Sequence, residues 1–427
     1  MIRKLIHKVT GVREDELGVA LLSCAFFFCI LAGYYVLRPL REEMGVAGGV
    51  DRLPRLYLAN LVVMLLTAPL FGALLKKFSR RRLVPAVYRF FMLNLVVFFA
   101  LAHWLPAGSQ IGLGRVFYVW ISVINMWAVS LFWATMADRT DLARSKRLFG
   151  FIAIGGTVGG VAGAGATALL VESVGRVNLI LVSVVMFELA VRCVQALWRR
   201  PSLRQADGAA PSREPQGGIL SGLTATARSP YLLGIAGFIV LYSLSSTFLY
   251  FVQAHIVHDQ TAERAARAVL FARIDLWTNL LTLILQLGLA GRLIPRIGVG
   301  ATLMLLPLAT ALGFAVLAFA PTYGVVLIFQ AVRRAGNYAL ARPARETLYT
   351  IVTADQRYKA KSFIDTFVYR GGDAVGATVF NFLDKAGAGI AGVSLTAIPL
   401  ALIWGGVGVV LGAAQQRLAH SKGVNQP

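Results

Sequence analysis

The sequence predicts an all-α membrane protein with twelve transmembrane helices in two six-helix halves. Three observations predict it. Of the 427 residues, 57% are hydrophobic and only 15% are charged, with a mean hydropathy of +0.68. A soluble domain carries about 25% charged and about 45–50% apolar residues, and a disordered chain needs low hydrophobicity, so both classes are excluded. Twelve apolar runs reach the length of about 20 residues that a helix needs to cross a bilayer. The basic residues between those runs alternate in density from one side to the other, as the positive-inside rule requires.

Span 1 (17–40) is a long apolar run without the short apolar core and cleavage site of a signal peptide, and is expected to stay in the membrane. Spans 2 (54–75) and 3 (83–104) are joined by the basic turn KKFSRRR (76–82), and spans 4 (112–136) and 5 (148–171) by a stretch containing DLARSKRLFG (141–150). Span 6 (177–198) closes the first half. Spans 7 to 12 follow at 229–254, 268–290, 298–319, 322–341, 362–383 and 388–415. With the N-terminus inside, 27 basic residues fall in inner segments and 7 in outer ones. This bias puts both termini in the cytoplasm. It also accounts for most of the net charge of +22 without a nucleic-acid partner. The implied setting is a bacterial cytoplasmic (inner) membrane, crossed many times by a single, monomeric chain.

Between spans 6 and 7 lies the one long polar stretch, 199–228, containing PSLRQADGAAPSREPQGG (201–218). Its Pro, Gly, Ser and Gln content reads as a flexible linker. The expected organisation is therefore an N-terminal bundle over 1–198, a linker over 199–228 and a C-terminal bundle with a short tail over 229–427. The halves echo each other. GGTVGGVAG (155–163) and GGDAVGATV (371–379) begin 216 residues apart, in spans 5 and 11, each after a basic loop. The loop GALLKKFSRRR (72–82) after span 2 has a counterpart, GRLIPRIG (291–298), after span 8. Paired halves of this kind are what a parallel-repeat transporter requires.

Eight basic residues remain within spans, among them Arg38, Arg333, Arg334 and Arg370. The acids within spans are Glu188, Asp275, Asp365 and Asp373. A charge at the bilayer centre costs roughly 2.5–3.5 kcal/mol on insertion scales, so these groups should pair or face a cavity. Glu188 and Arg192, four apart on one helix, are placed to pair. The cationic excess that is left suits an anion, because the guanidinium fork matches phosphate and carboxylate. The alternative is that these arginines brace helices through backbone carbonyls. Tyr34, Tyr35, Trp127, Trp133, Tyr250, Trp277 and Tyr338 could offer a stacking surface.

Other motifs carry less. GGTVGGVAGAG lacks the Lys-Ser/Thr pair of a phosphate loop and reads as a close helix-packing stripe. His255 and His258 form a lone HxxH without a third ligand, so no metal is expected. No cofactor and no enzymatic residue set is expected either. Cys24, Cys29 and Cys193 lie in apolar segments and form no disulfide framework.

The loop after span 2 resembles the signature of the major facilitator superfamily, through Gly72, Lys77, Arg81 and Arg82, with Lys76 where the family has Asp. Two further stretches, CILAGYYVLRPLREEMG (29–45) and ARPARETLYTIVTADQRYKAKSFIDTFVYRGGDAVGA (341–377), resemble the ATP/ADP translocase family of intracellular bacteria and plastids. Leu37-Arg38, Arg41-Glu42, Arg342-Pro343, Arg345-Glu346, Lys359, Lys361 and Asp365 carry the likeness, with LFWATMAD (131–138) and KRLFG (146–150). The resemblance implies the major facilitator fold and counter-exchange of nucleotides. Asn125 and Tyr250 stand where that family has acids on its fourth and seventh helices.

The resulting expectation is a secondary transporter, an antiporter of an anionic, phosphorylated, nucleotide-like metabolite. Arg38, Arg333, Arg334 and Arg370 would hold the anion, with Asn125 and Tyr250 beside them and Arg41 and Arg345 nearer the mouths. Lys76 or Lys77 would pair with Asp365 to close the cytoplasmic side, and Asp275 or Asp373 would couple protons. The alternatives are an exporter of amphipathic or lipid-like compounds, and a receptor or assembly protein that does not transport.

Overall fold

A computed structural model describes residues 16–140, 142–200, 219–288 and 290–421. The helices are α1 (Leu17–Ala47), α2 (Leu53–Lys77), α3 (Arg80–Trp104), α4 (Gln110–Arg139), α5 (Leu142–Val174), α6 (Leu179–Trp198), α7 (Ile219–Ala227), α8 (Pro230–Gln260), α9 (Arg264–Gly288), α10 (Ala290–Phe319), α11 (Tyr323–Gly336), α12 (Arg342–Leu348), α13 (Ala354–Phe363), α14 (Tyr369–Lys385) and α15 (Gly389–Ser421). Among the described residues there is no strand, and ten helices are long and apolar enough to cross a bilayer. Leu66, Leu169, Trp104, Phe319 and Phe382 are each more than two-thirds exposed, which is a liability in water and the ordinary state against lipid.

The expected count of twelve is not reached on length and composition, and the two expected spans that fall short share a cause. In 322–341 and 362–383 the backbone leaves the α-helix for a π turn, at Asn337–Ala341 and at Ile364–Val368. Both remain helical, but the π turns divide them into shorter pieces, and each carries buried or half-buried charge. Single π turns of this kind are frequent at functional sites.

Two compact units are formed, one of residues 1–208 and 260–283, the other of 209–259 and 284–427. Segment 260–283, expected in the C-terminal bundle, thus groups with the first unit. The reason is visible in its charges: Asp275 and Arg264 bind Arg38 and Glu43 of α1. Most of the expected linker (201–218) lies outside the described residues. Its last part is not linker but α7, whose Gly222 seats against the Lys359 carbonyl and Phe363 on α13.

In the first unit α1 is the central helix, packed on α4, α5 and α6. The glycine stripe does what the packing reading expects. A Cβ on Gly155 would meet the Cys24 carbonyl at 2.6 Å, one on Gly159 the Phe28 carbonyl, and one on Gly163 the Ala32 carbonyl. One turn further on, the Thr167 hydroxyl donates to the Val36 carbonyl at 3.3 Å. Both members of each pair advance by four residues, so α1 and α5 run parallel along one seam. With no hydrophobic drive between helices in lipid, such backbone-to-backbone closeness is the main source of their attraction.

The second unit repeats the device. Gly372 on α14 faces Ser243 on α8, and Gly376 faces Thr247 and Leu244. The pairs Gly156–Phe27 and Gly372–Ser243 differ by 216 on both sides, the spacing of the sequence echo. In the same unit α10 and α15 run antiparallel, with Gly300 against Gly412 and Leu303 against Gly408. Within α10, Gly298 (φ 80°, ψ 168°) breaks the helix, a backbone conformation open essentially to glycine.

Candidate functional site

Each unit carries buried charges. In the second unit, Arg333 near the end of α11 is 1% exposed. Its Nη1 donates to the Ser246 hydroxyl at 3.2 Å and its Nη2 to the Tyr242 carbonyl at 3.2 Å. The guanidinium also lies over the Tyr242 ring, 5.0 Å from its centre, in cation–π range. Among the described residues Arg333 makes no ion pair, and its Nε has no hydrogen-bond partner. Beside it, buried Asp373 accepts from Ser243 and, at 3.4 Å, from Thr247, and pairs with Arg370 at 3.5 Å. Tyr242 and Tyr369 approach each other at 5.9 Å between ring centres. Three helices, α8, α11 and α14, therefore supply two guanidiniums, one carboxylate, two phenol rings and several hydroxyls to one location.

The sequence singled out Arg333, Arg370 and Asp373 here, but not Tyr242, Ser243, Ser246 or Tyr369. The run YSLSSTF (242–248) was the available signal: four hydroxyls close together after Tyr242 inside an apolar span. Arg334 is half-buried on the neighbouring position. Arg345, on α12, pairs with Asp365 at 3.7 Å. Lys361 bonds Glu346 at 2.5 Å. Nearby, burial pushes the Tyr349 phenol well up, with Asp365 adding to the shift and Arg345 opposing it.

In the first unit, Arg38 pairs with Asp275 at 2.9 Å and lies 5.7 Å from the centre of the Tyr35 ring. Arg41 bonds Glu42 at 2.5 Å, donates to the Tyr118 carbonyl at 3.0 Å and covers the Tyr118 ring at 3.9 Å. Arg38 and Arg41 are thus each matched by an acid. Asn125 is half-buried on α4. Glu188 meets Arg192 at 2.7 Å, as their spacing predicts, and also Arg89 at 3.4 Å. Lys76 and Lys77 lie at the end of α2, with Lys77 exposed and 5.7 Å from the centre of the Phe78 ring. In the turn after α2, Arg80 donates to the Leu75 carbonyl at 2.6 Å and pairs with Asp138 at 3.2 Å.

The proposed stacking residues scatter. Tyr250 of the second unit packs edge-on to Phe251. Trp127 is buried among Phe71 and Phe91, Trp133 packs on Phe27, Phe132 and Phe149, and Trp277 and Tyr338 are exposed.

No protein-family model and no curated protein matches the chain. Solved structures do. A crystal structure of the nucleoside transporter NupG superposes with a TM-score of 0.56, covering 95% of this chain and 100% of that one at 16% identity. At that identity the likeness shows the fold alone: a multi-pass, all-helical membrane protein folded like that structure. It does not reach the ATP/ADP translocase family that the sequence resembles.

Proposed function

We propose that the chain is a secondary transporter of an anionic, phosphorylated metabolite carrying a nucleoside-like ring. In this reading the chain exchanges cargo by alternating access across a bacterial inner membrane, with both termini in the cytoplasm and the monomer as the working unit. The cargo is moved, not chemically altered. The observation that carries the proposal is Arg333. A buried guanidinium held, among the described residues, by a hydroxyl, a carbonyl and a ring without an ion pair is costly in a membrane span, and an incoming anion relieves that cost. Tyr242 and Tyr369 supply a face for an aromatic ring. The shared offset of 216 in the glycine seams supports the two-half reading, and the resemblance to a nucleoside transporter supports the nucleoside part. Asp373, tied to Ser243 and Arg370, serves as the coupling acid.

A second reading, a neutral nucleoside as cargo, is favoured by one observation: Arg38, Arg345 and Arg370 are already paired with Asp275, Asp365 and Asp373. Counter-exchange in proteoliposomes separates the two. Labelled ADP, ATP and the parent nucleoside are offered to the native protein and to Arg333→Gln. Uptake of the phosphorylated forms, reduced at least about tenfold in the variant, is expected, because each 1.4 kcal/mol of lost binding is tenfold. Uptake of the nucleoside alone, unchanged in Arg333→Gln, would replace the first reading with the second. No flux of either would remove both.

A further inference from the structure

Glu43 lies on α1, just over one turn beyond Arg38, and the sequence did not single it out. Its side chain is fully enclosed, yet three arginines converge on it: Arg264 at 2.5 Å, Arg176 at 3.3 Å and Arg267 at 3.9 Å. Arg264 approaches with both arms of its fork, the second at 3.3 Å. These three are among the few basic residues that the positive-inside count assigns to the outer side. Three guanidiniums against one carboxylate leave a surplus of positive charge. Arg264 and Arg267 also stand in the first turn of α9, where the helix dipole is itself positive, so the backbone adds to the surplus.

The Arg267 side chain is more than nine-tenths buried, and its Nε has no hydrogen-bond partner among the described residues. Burial pushes the Arg176 guanidinium down, with Glu43 opposing the shift. Beside Arg176 opens a cavity of about 350 Å³, whose wall also includes His103, Asn178, Ala265 and one acid, Glu172. One buried donor without a partner, on Arg267, and an excess of guanidinium charge over carboxylate thus belong to one cluster, and its Arg176 borders a space large enough for a small tetrahedral ion.

We propose that Arg176, Arg264 and Arg267 form an oxyanion-binding site at this end of α1, taking a phosphate group beside Glu43. Guanidinium forks match such oxygens in pairs. The site uses none of the residues assigned to the transported cargo. Its phosphate comes either from solution or from a lipid headgroup.

The test is the thermal stability of the purified full chain, read in two arms: delipidated in neutral detergent with inorganic phosphate titrated at constant ionic strength, and in phosphate-free buffer in nanodiscs of zwitterionic lipid with or without added phosphatidylglycerol. A bound anion raises the melting temperature by mass action. Native protein, Arg264→Gln, Arg267→Gln and Glu43→Gln are compared. A saturable rise in the native protein, absent from both arginine variants, is expected in one arm, and the responding arm identifies the source. Glu43→Gln removes the carboxylate that competes for the same donors. It should therefore respond at about tenfold lower anion concentration, equivalent to 1.4 kcal/mol, and phosphate or phosphatidylglycerol should restore the stability lost with Glu43. If the arginine variants do not fold, Glu43→Gln alone decides. A destabilised Glu43→Gln that neither anion rescues, or a response that persists in both arginine variants, would overturn the site and leave the cluster as a helix tie.

Discussion

Gly155→Ala tests the seam between α1 and α5. The added Cβ would sit 2.6 Å from the Cys24 carbonyl and 2.5 Å from its sulfur. Ordinary contact begins at 3.4 Å, so one helix must retreat by about 0.8 Å. The obstructing atom is backbone oxygen and cannot swing aside. Overpacking of this kind costs about 1–3 kcal/mol. Against it stands the intrinsic gain of about 1 kcal/mol for alanine over glycine within a helix. Gly165→Ala on the same helix supplies the comparison. Its Cβ would meet only Leu276, at 3.7 Å, so it keeps the intrinsic gain without the clash. The difference between the two variants cancels the intrinsic part and should be about 1–3 kcal/mol, with Gly155→Ala the less stable. Unfolding in mixed micelles with rising SDS, followed by tryptophan fluorescence, measures it. Equal midpoints for the two variants would refute the parallel, four-residue register.

Two further outcomes follow from single features. Asp275→Leu leaves Arg38 without its partner 2.9 Å away and should cost about 3–5 kcal/mol, whereas adding Arg38→Leu should recover most of that loss. A double variant as unstable as the single one would show that the pair is not what couples those positions. Gly298→Ala forces an L side chain into φ 80° and should lower stability by about 1–3 kcal/mol. Gly406→Ala, with open space around its Cβ, should be neutral or stabilising, and a thermal midpoint for each checks the opposite signs.

The membrane class and most spans were legible because they depend on composition over about 20 residues, which a linear reading captures. The glycine seams were legible too, since small residues four apart line one face of a helix and admit a neighbouring backbone there. The π turns at 337–341 and 364–368 were not. No residue type specifies such a turn. The helix over Ile219–Ala227 was hidden by its short length and polar neighbourhood. Nine residues are marginal as an isolated helix, and α7 is stabilised by α13, more than a hundred residues on. At the sites, Arg333 and Asp373 stood out as charges in apolar runs. Their neighbours Tyr242 and Ser246 did not, because a hydroxyl in a span more often bonds its own helix, as Thr278 does with the Ile274 carbonyl. Arg38 and Asp275 were both visible, but their pairing across 237 positions was not.

Glu43 also sets a timetable. Arg264 follows it by 221 residues and Arg176 by 133. At about 5–20 residues per second of synthesis, Glu43 leaves the ribosome roughly 10–45 s before its strongest partner does. During that interval the newly made first helices hold an acid that Arg176 alone can serve, and only for the latter part. The docking of α9 is then the event that completes the charge set. The order of birth, α1, then the turn before α6, then α9, becomes the order in which this end of the first unit locks.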